Sequence, residues 1–132
     1  MVTREDIESF LIRMDLGYSE VAEGMYLLRS GEAELPTVVH VTPPLVVIRL
    51  KLMDLPPRNG MEDLYRMLLE LNASDVVHGA YAIEEGELIL TDALQLETLD
   101  FVELQSSLES LQIAASSHMD RISALVGAGV EG

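Results

Sequence analysis

The chain has 132 residues, no cysteine, and 23 acids against eight bases, for a formal charge of −15. That length suits one domain burying about two-thirds of its unfolded surface, and the missing thiols exclude a disulfide framework and any thiolate metal site. The acidity disfavours nucleic acid and anionic membrane as partners, since both demand basic patches.

Thr3-Arg4-Glu5-Asp6 reads as a helix start, with a hydroxyl to accept from an orphan amide and acids at the positive end of the dipole. Ile7, Phe10, Leu11 and Met14 continue at helical spacing, and Gly17 is a natural stop, so a helix is expected over about residues 4–15. The period then changes. Met25–Arg29, between Gly24 and Ser30-Gly31, reads as a strand ending in a turn. Thr37–Thr42 is rich in β-branched residues and is stopped by Pro43-Pro44. Leu45–Met53 forms a third strand. Val46, Ile48, Leu50 and Leu52 point to one face, and Val47, Arg49 and Lys51 to the other. Short links imply antiparallel neighbours.

Pro56-Pro57 ends the meander, and Asn59 with Glu62 resembles a capping box for a helix over about residues 60–72, with Asn72 as terminator. Gly79–Glu84 and Glu87–Leu94 are two strands about a Glu85-Gly86 turn; Asp92 breaks the second one's alternation and is expected near an edge or bulge. Asp100 with Glu103 caps the last helix. There Phe101, Leu104, Leu108, Leu111, Ala115, Met119, Ile122 and Val126 recur at steps of three and four before Gly127. Some 26 residues span roughly 39 Å, longer than a strand of about 20 Å, so its overhang calls for company such as a second subunit. The expected fold is α+β in the order α-β-β-β-α-β-β-α, a five-stranded, largely antiparallel sheet with three helices on one face. It makes a single domain over 1–126 with a frayed tail over 127–132.

Catalytic patterns are missing. His40, His78 and His118 are isolated, without ligand spacing, so no metal site is expected. Glu5-Asp6, Glu62-Asp63 and Glu84-Glu85 sit at helix starts and a turn, where capping and dipole effects account for them. No phosphate-cradling glycine loop or nucleophile elbow occurs, so no catalytic or cofactor-binding residue is assigned and no cofactor is expected. Arg49 and Lys51, the one basic pair on a strand face, either grip an acidic ligand or pair with acids on neighbouring strands. The N-terminus carries acids where a signal peptide would be basic, and Leu45–Leu52, broken by Arg49 and Lys51, is too short to span a bilayer. A cytoplasmic location and no membrane insertion are the expectation.

What remains is surface. Val38 and His40 share one face of their strand, as do Leu45 and Val47 of theirs. With helices on the opposite side, these four form an apolar patch that either marks a protein contact or serves as a satellite core under the first loop. The seven methionines fit either an irregular core or an adaptable binding surface. The charge is uneven, with 12 acids and one base, Arg121, after residue 66. It serves solubility or steers a basic partner.

Three stretches carry a family likeness: Glu62-Asp63-Leu64-Tyr65-Arg66-Met67-Leu68-Leu69-Glu70-Leu71-Asn72, His78 through Leu90, and Leu96-Glu97-Thr98-Leu99-Asp100. Together with the order of elements, size and acidity, they resemble the type III secretion chaperone-like fold of bacterial CesT-type chaperones and YbjN-domain proteins. The resemblance spans nearly the whole chain and transfers no catalytic residue. It implies a non-catalytic homodimer that binds an extended segment of a client polypeptide along its sheet and helix surface. The alternative is a stand-alone YbjN-like regulatory or small-molecule-binding domain.

Overall fold

The computed structural model describes residues 1–29, 35–57 and 59–131. Its elements are α1 (Arg4–Arg13), β1 (Gly17–Ala22), β2 (Met25–Arg29), β3 (Thr37–Thr42), β4 (Leu45–Asp54), α2 (Glu62–Ser74), β5 (Ala80–Glu84), β6 (Glu87–Gln95) and α3 (Phe101–Glu131). The sheet therefore has six strands rather than five, in the order β1-β2-β3-β4-β6-β5, and every neighbouring pair is antiparallel.

The additional strand is β1. Asp15, at φ 57°, makes the left-handed turn that ends α1, a conformation open to Asp because its short polar side chain bonds locally. Gly17 starts β1 instead of closing the helix. Glu23-Gly24 then turns the chain into β2, with Gly24 at φ 70°. The expected Ser30-Gly31 turn lies outside the described residues.

All three helices contribute to one core with the sheet face that carries Val39, Ile48, Leu50, Leu88 and Leu90. α1 is capped as its sequence implies: the Thr3 hydroxyl accepts from the Asp6 amide, and the Asp6 carboxylate accepts from the Thr3 amide at 2.9 Å. Ile7 and Leu11 fill the core. Phe10 meets Phe101 edge-on, and the Arg13 guanidinium lies 3.9 Å above the same ring, which docks α1 on the start of α3.

α2 departs from expectation at both ends. Its cap position is Met61, a core residue, and no side-chain cap bond forms there, so Asn59 does not cap it. Asn72 lies inside the helix. Its amide accepts from the Tyr81 N–H at 2.7 Å and donates to the Tyr81 carbonyl at 3.3 Å, occupying backbone groups of edge strand β5 that would otherwise face outward.

α3 is 31 residues, about 46 Å. It runs through Gly127 to Glu131, since a helix tolerates glycine at a cost of about 1 kcal/mol. Its buried stripe is Leu104, Leu108, Leu111, Ala115 and Ile122, with two polar members, Ser107 and His118.

Asp92 lies where β6 becomes the edge of the sheet, as its break in the alternation implies: the last β5 pairing is Ala80 with Thr91, and Asp92 is paired only with Ile48 of β4. It points to the helix-covered side, where the Ser107 hydroxyl donates to it at 2.7 Å. The bulge of this strand pair falls elsewhere, between Lys51 and Met53 of β4. Gly79 brings the chain against β6 at φ 74°; a Cβ there would lie 2.2 Å from the Thr91 carbonyl oxygen, so only glycine fits.

Candidate functional site

Period two carries straight from sequence to structure along β4. Val46, Ile48, Leu50 and Leu52 are buried beneath the helices; Leu45, Val47, Arg49 and Lys51 are half-buried on the other side. No described element lies over that second side. Neighbouring strands align their like-facing residues in rows. One row runs Met25, His40, Val47, Ala93; the next runs Leu27, Val38, Arg49, Thr91. Val38, His40, Leu45 and Val47 thus share this open face, with His40 directly opposite Val47, Val38 opposite Arg49, and Leu45 opposite Thr42 one row further on. Sequence reasoning did not include Met25 and Leu27, which extend the same patch on β2. Their alternation with buried Tyr26 and Leu28 was the available signal.

The other half of the open face is closed by charge. Arg49 pairs with Glu84 at 3.0 Å, and Lys51 with Glu87 at 2.6 Å and Asp54 at 3.0 Å. The cross-strand reading of these two bases is the one realised. Bonds from Glu87 and then Asp54 raise the Lys51 ammonium above its usual value. Between the two pairs, Ile89 lies opposite Lys51 and Ala82, and so faces the open side, yet is only 4% exposed. The aliphatic stems of Arg49 and Lys51 account for that cover. Where this ridge meets the apolar rows, Met25, Pro36, Val38, His40 and Ile89 line a groove of about 540 Å³, with Glu84, Glu85 and Glu87 along its border.

A second patch lies at the opposite edge of the covered side. Tyr65 and Leu69 on α2 and Ile83 on β5 are exposed beside a groove of about 210 Å³. It was not anticipated, because on a helical wheel Tyr65 belongs to the stripe that includes Leu64 and Leu68, which are buried.

One buried polar cluster joins three elements. The Tyr81 hydroxyl lies 2.7 Å from His118 Nδ1, and His118 Nε2 lies 3.5 Å from Asp75, which Arg121 approaches to 3.9 Å. Burial pushes the Tyr81 phenol up to about 12, so it stays a protonated donor rather than a nucleophile. The phenol and Nδ1 share one hydrogen bond, and Nε2 faces Asp75. The cluster ties β5, the end of α2 and α3 together. His40 and His78 lie on other elements, on β3 and in the segment before β5. Among the described residues, no group of three or more His, Cys, Asp or Glu is arranged to hold a metal, and no helix is long and apolar enough to cross a membrane.

The comparisons with known proteins agree with this architecture. The sequence pattern of the CesT_Tir_1 family matches residues 2–127. Among solved structures, a chain of the heterodimeric ExoU-SpcU complex from the type III secretion system of Pseudomonas aeruginosa superimposes with a TM-score of 0.69 at 18% identity, covering 90% of this chain and 96% of that one. A chain of the HopA1-SchA chaperone-effector complex gives 0.61 at 9% identity over 83% and 86%. YbjN from E. coli gives 0.66 at 10% identity over 92% and 96%. No curated protein matches the sequence.

Proposed function

The chain belongs to the CesT_Tir_1 family, and from that premise we propose that it is a non-catalytic, chaperone-like protein-binding module, one domain over residues 1–126, that works in the cytoplasm. In this reading it forms a homodimer and holds an extended segment of a client polypeptide. The observation that carries it is the uncovered half of the sheet: Met25, Leu27, Val38, His40 and Val47 form adjoining rows of half-buried side chains that no described element of the chain covers. A patch of that kind marks a contact with another protein. Two of the similar structures, a chaperone-effector complex and a heterodimeric complex from a type III secretion system, support a polypeptide partner. For the second copy, the patch of Tyr65, Leu69 and Ile83 supplies a separate apolar surface on the far side of the molecule. Client and partner subunit then need not compete.

A small-molecule reading has one observation in its favour, a groove of about 320 Å³ lined by Met14, Leu16, Leu28, Leu108 and Ile113. The Gln112 amide on its wall already bonds Leu35 and Thr37, so Gln105 and Glu109 are the lining side chains left to orient a ligand.

Native mass spectrometry of the protein isolated gently from its source tests the chaperone reading. A mass of two 14.5 kDa chains plus a polypeptide is the expected result. A bare dimer moves the weight to a stand-alone role, and a bare monomer overturns the dimer.

A further inference from the structure

The open face has a direction. At one side lie aliphatic and weakly polar groups: Met25, Val38, His40 and Val47. At the other lie Glu84, Glu85 and Glu87. The two bases between them are engaged: Arg49 by Glu84, and Lys51 by Glu87 and Asp54. Five charged side chains therefore border the groove, three of them acidic, and Glu85 enters no ion pair among the described residues. A ligand lying in this groove meets aliphatic contacts first and a net negative rim afterwards.

We propose, resting on the client-binding reading above, that the groove of Met25, Val38, His40 and Ile89 takes a peptide segment whose aliphatic side chains are followed by lysine or arginine, the cation meeting Glu84, Glu85 and Glu87. Charge complementarity selects this occupant over a second copy. Another chain of −15 brings its own acids toward the same rim, and like charges at a contact weaken it. Aliphatic groups alone would bind without preference of orientation; the rim places the segment's basic end at the glutamates. Opposite charge at the rim also speeds encounter and makes binding fall with salt.

The test uses a fluorescent synthetic peptide, Val-Ser-Val-Ser-Val-Ser-Lys-Ser-Lys, in which an extended backbone turns valines and lysines to the same side. Its comparator carries glutamate for both lysines. Fluorescence anisotropy against the full chain is expected to show at least about tenfold tighter binding of the lysine peptide, a preference of about 1.4 kcal/mol that weakens as salt is raised. Val38→Asp is expected to remove binding of the lysine peptide. Glu85→Lys, at the exposed turn where it leaves the core untouched, is expected to shrink the lysine preference several-fold. Equal affinity for the two peptides, no binding of the lysine peptide, or lysine binding that survives Val38→Asp in a chain with an unchanged thermal melt overturns the inference. So does a dimer that falls to monomer on Val38→Asp, because a second copy then occupies the face. A client found on the native dimer together with no lysine preference would sink this inference and leave the chaperone reading standing.

Discussion

Adjacent residues of β4 lead to opposite fates. Ile48 and Leu50 have no exposed surface, packed in the same core as Leu104, Leu108 and Leu111 of α3. Val47 and Arg49, one position over in the alternation, keep part of their surface in water, and no described helix lies above them. The strand itself favours one side: Val46, Ile48, Leu50 and Leu52 make an unbroken aliphatic row, whereas Arg49 and Lys51 interrupt the other. The cover follows that difference. Three amphipathic helices can shield one face, and they go to the one with the longer unbroken aliphatic row. The remaining face is then closed in part by ion pairs, over Ile89, and elsewhere left as valine, methionine and leucine. An aliphatic residue beneath a helix stabilises the fold; the same residue on the open face is available to a partner.

The largest expected effect tests that division directly. Leu50→Ala should cost about 2–5 kcal/mol in urea unfolding, because the methyl groups removed leave a void under α3. Val47→Ala on the same strand should cost under about 1 kcal/mol, the span of strand propensities at a partly exposed site. If the two variants lose similar stability, the open face is covered by something the chain supplies, and the comparison fails.

A smaller effect separates polar contacts on the covered side from the ion pairs on the open side. Tyr81→Phe removes the hydroxyl bonded to His118 Nδ1 and leaves a buried ring nitrogen unpaired. The expected loss is about 1–3 kcal/mol, read as a lowered urea midpoint. Arg49→Gln breaks the Arg49–Glu84 pair, whose side chains are 36% and 51% exposed, and should cost no more than about 1 kcal/mol. Equal losses would mean that the ridge over Ile89 is as much a part of the core as the Tyr81–His118 cluster.

The fold was legible where periodicity is strong. β3, β4 and α3 are patterned without interruption, and the four open-face residues followed from parity alone. β1 was not, because Gly-Tyr-Ser-Glu-Val-Ala has glycine, serine and glutamate at half its positions and only Tyr18 packing on the core. The Glu23-Gly24 dipeptide is the missed cue, the same residues as the Glu85-Gly86 turn that was read correctly. Asn72 and Asn59 were misread for a different reason. Cap chemistry was assigned from local sequence, and tertiary contacts won: Met61 is drawn into the core at the start of α2, and the Asn72 amide is taken by the edge of β5. The outer patch of Tyr65, Leu69 and Ile83 was illegible because it joins a helix to a strand that sequence spacing cannot bring together.

The smallest effect concerns how firmly the cover is held at its exposed end. The Thr3 backbone amide, and then its hydroxyl, bond the Asp6 carboxylate and hold it below its usual value of 3.8. A carboxyl depressed in the folded chain stabilises the fold above its unfolded value and loses that contribution as pH falls through its folded one. At neutral pH the box is therefore intact, and in the window below about pH 4 it dissolves. Asp6→Asn keeps a side chain able to accept from the Thr3 amide but carries no proton-linked charge. Its destabilisation relative to the unaltered chain should be visible in urea midpoints at about pH 6 and should shrink as pH falls from there through the carboxyl's depressed folded value. Because α1 covers only the core side through Ile7 and Leu11, the same substitution should leave binding of the lysine peptide at neutral pH unchanged. A loss of peptide affinity in Asp6→Asn would show that the cover and the open face are coupled through the sheet, and that the two sides of β4 cannot be treated as independent.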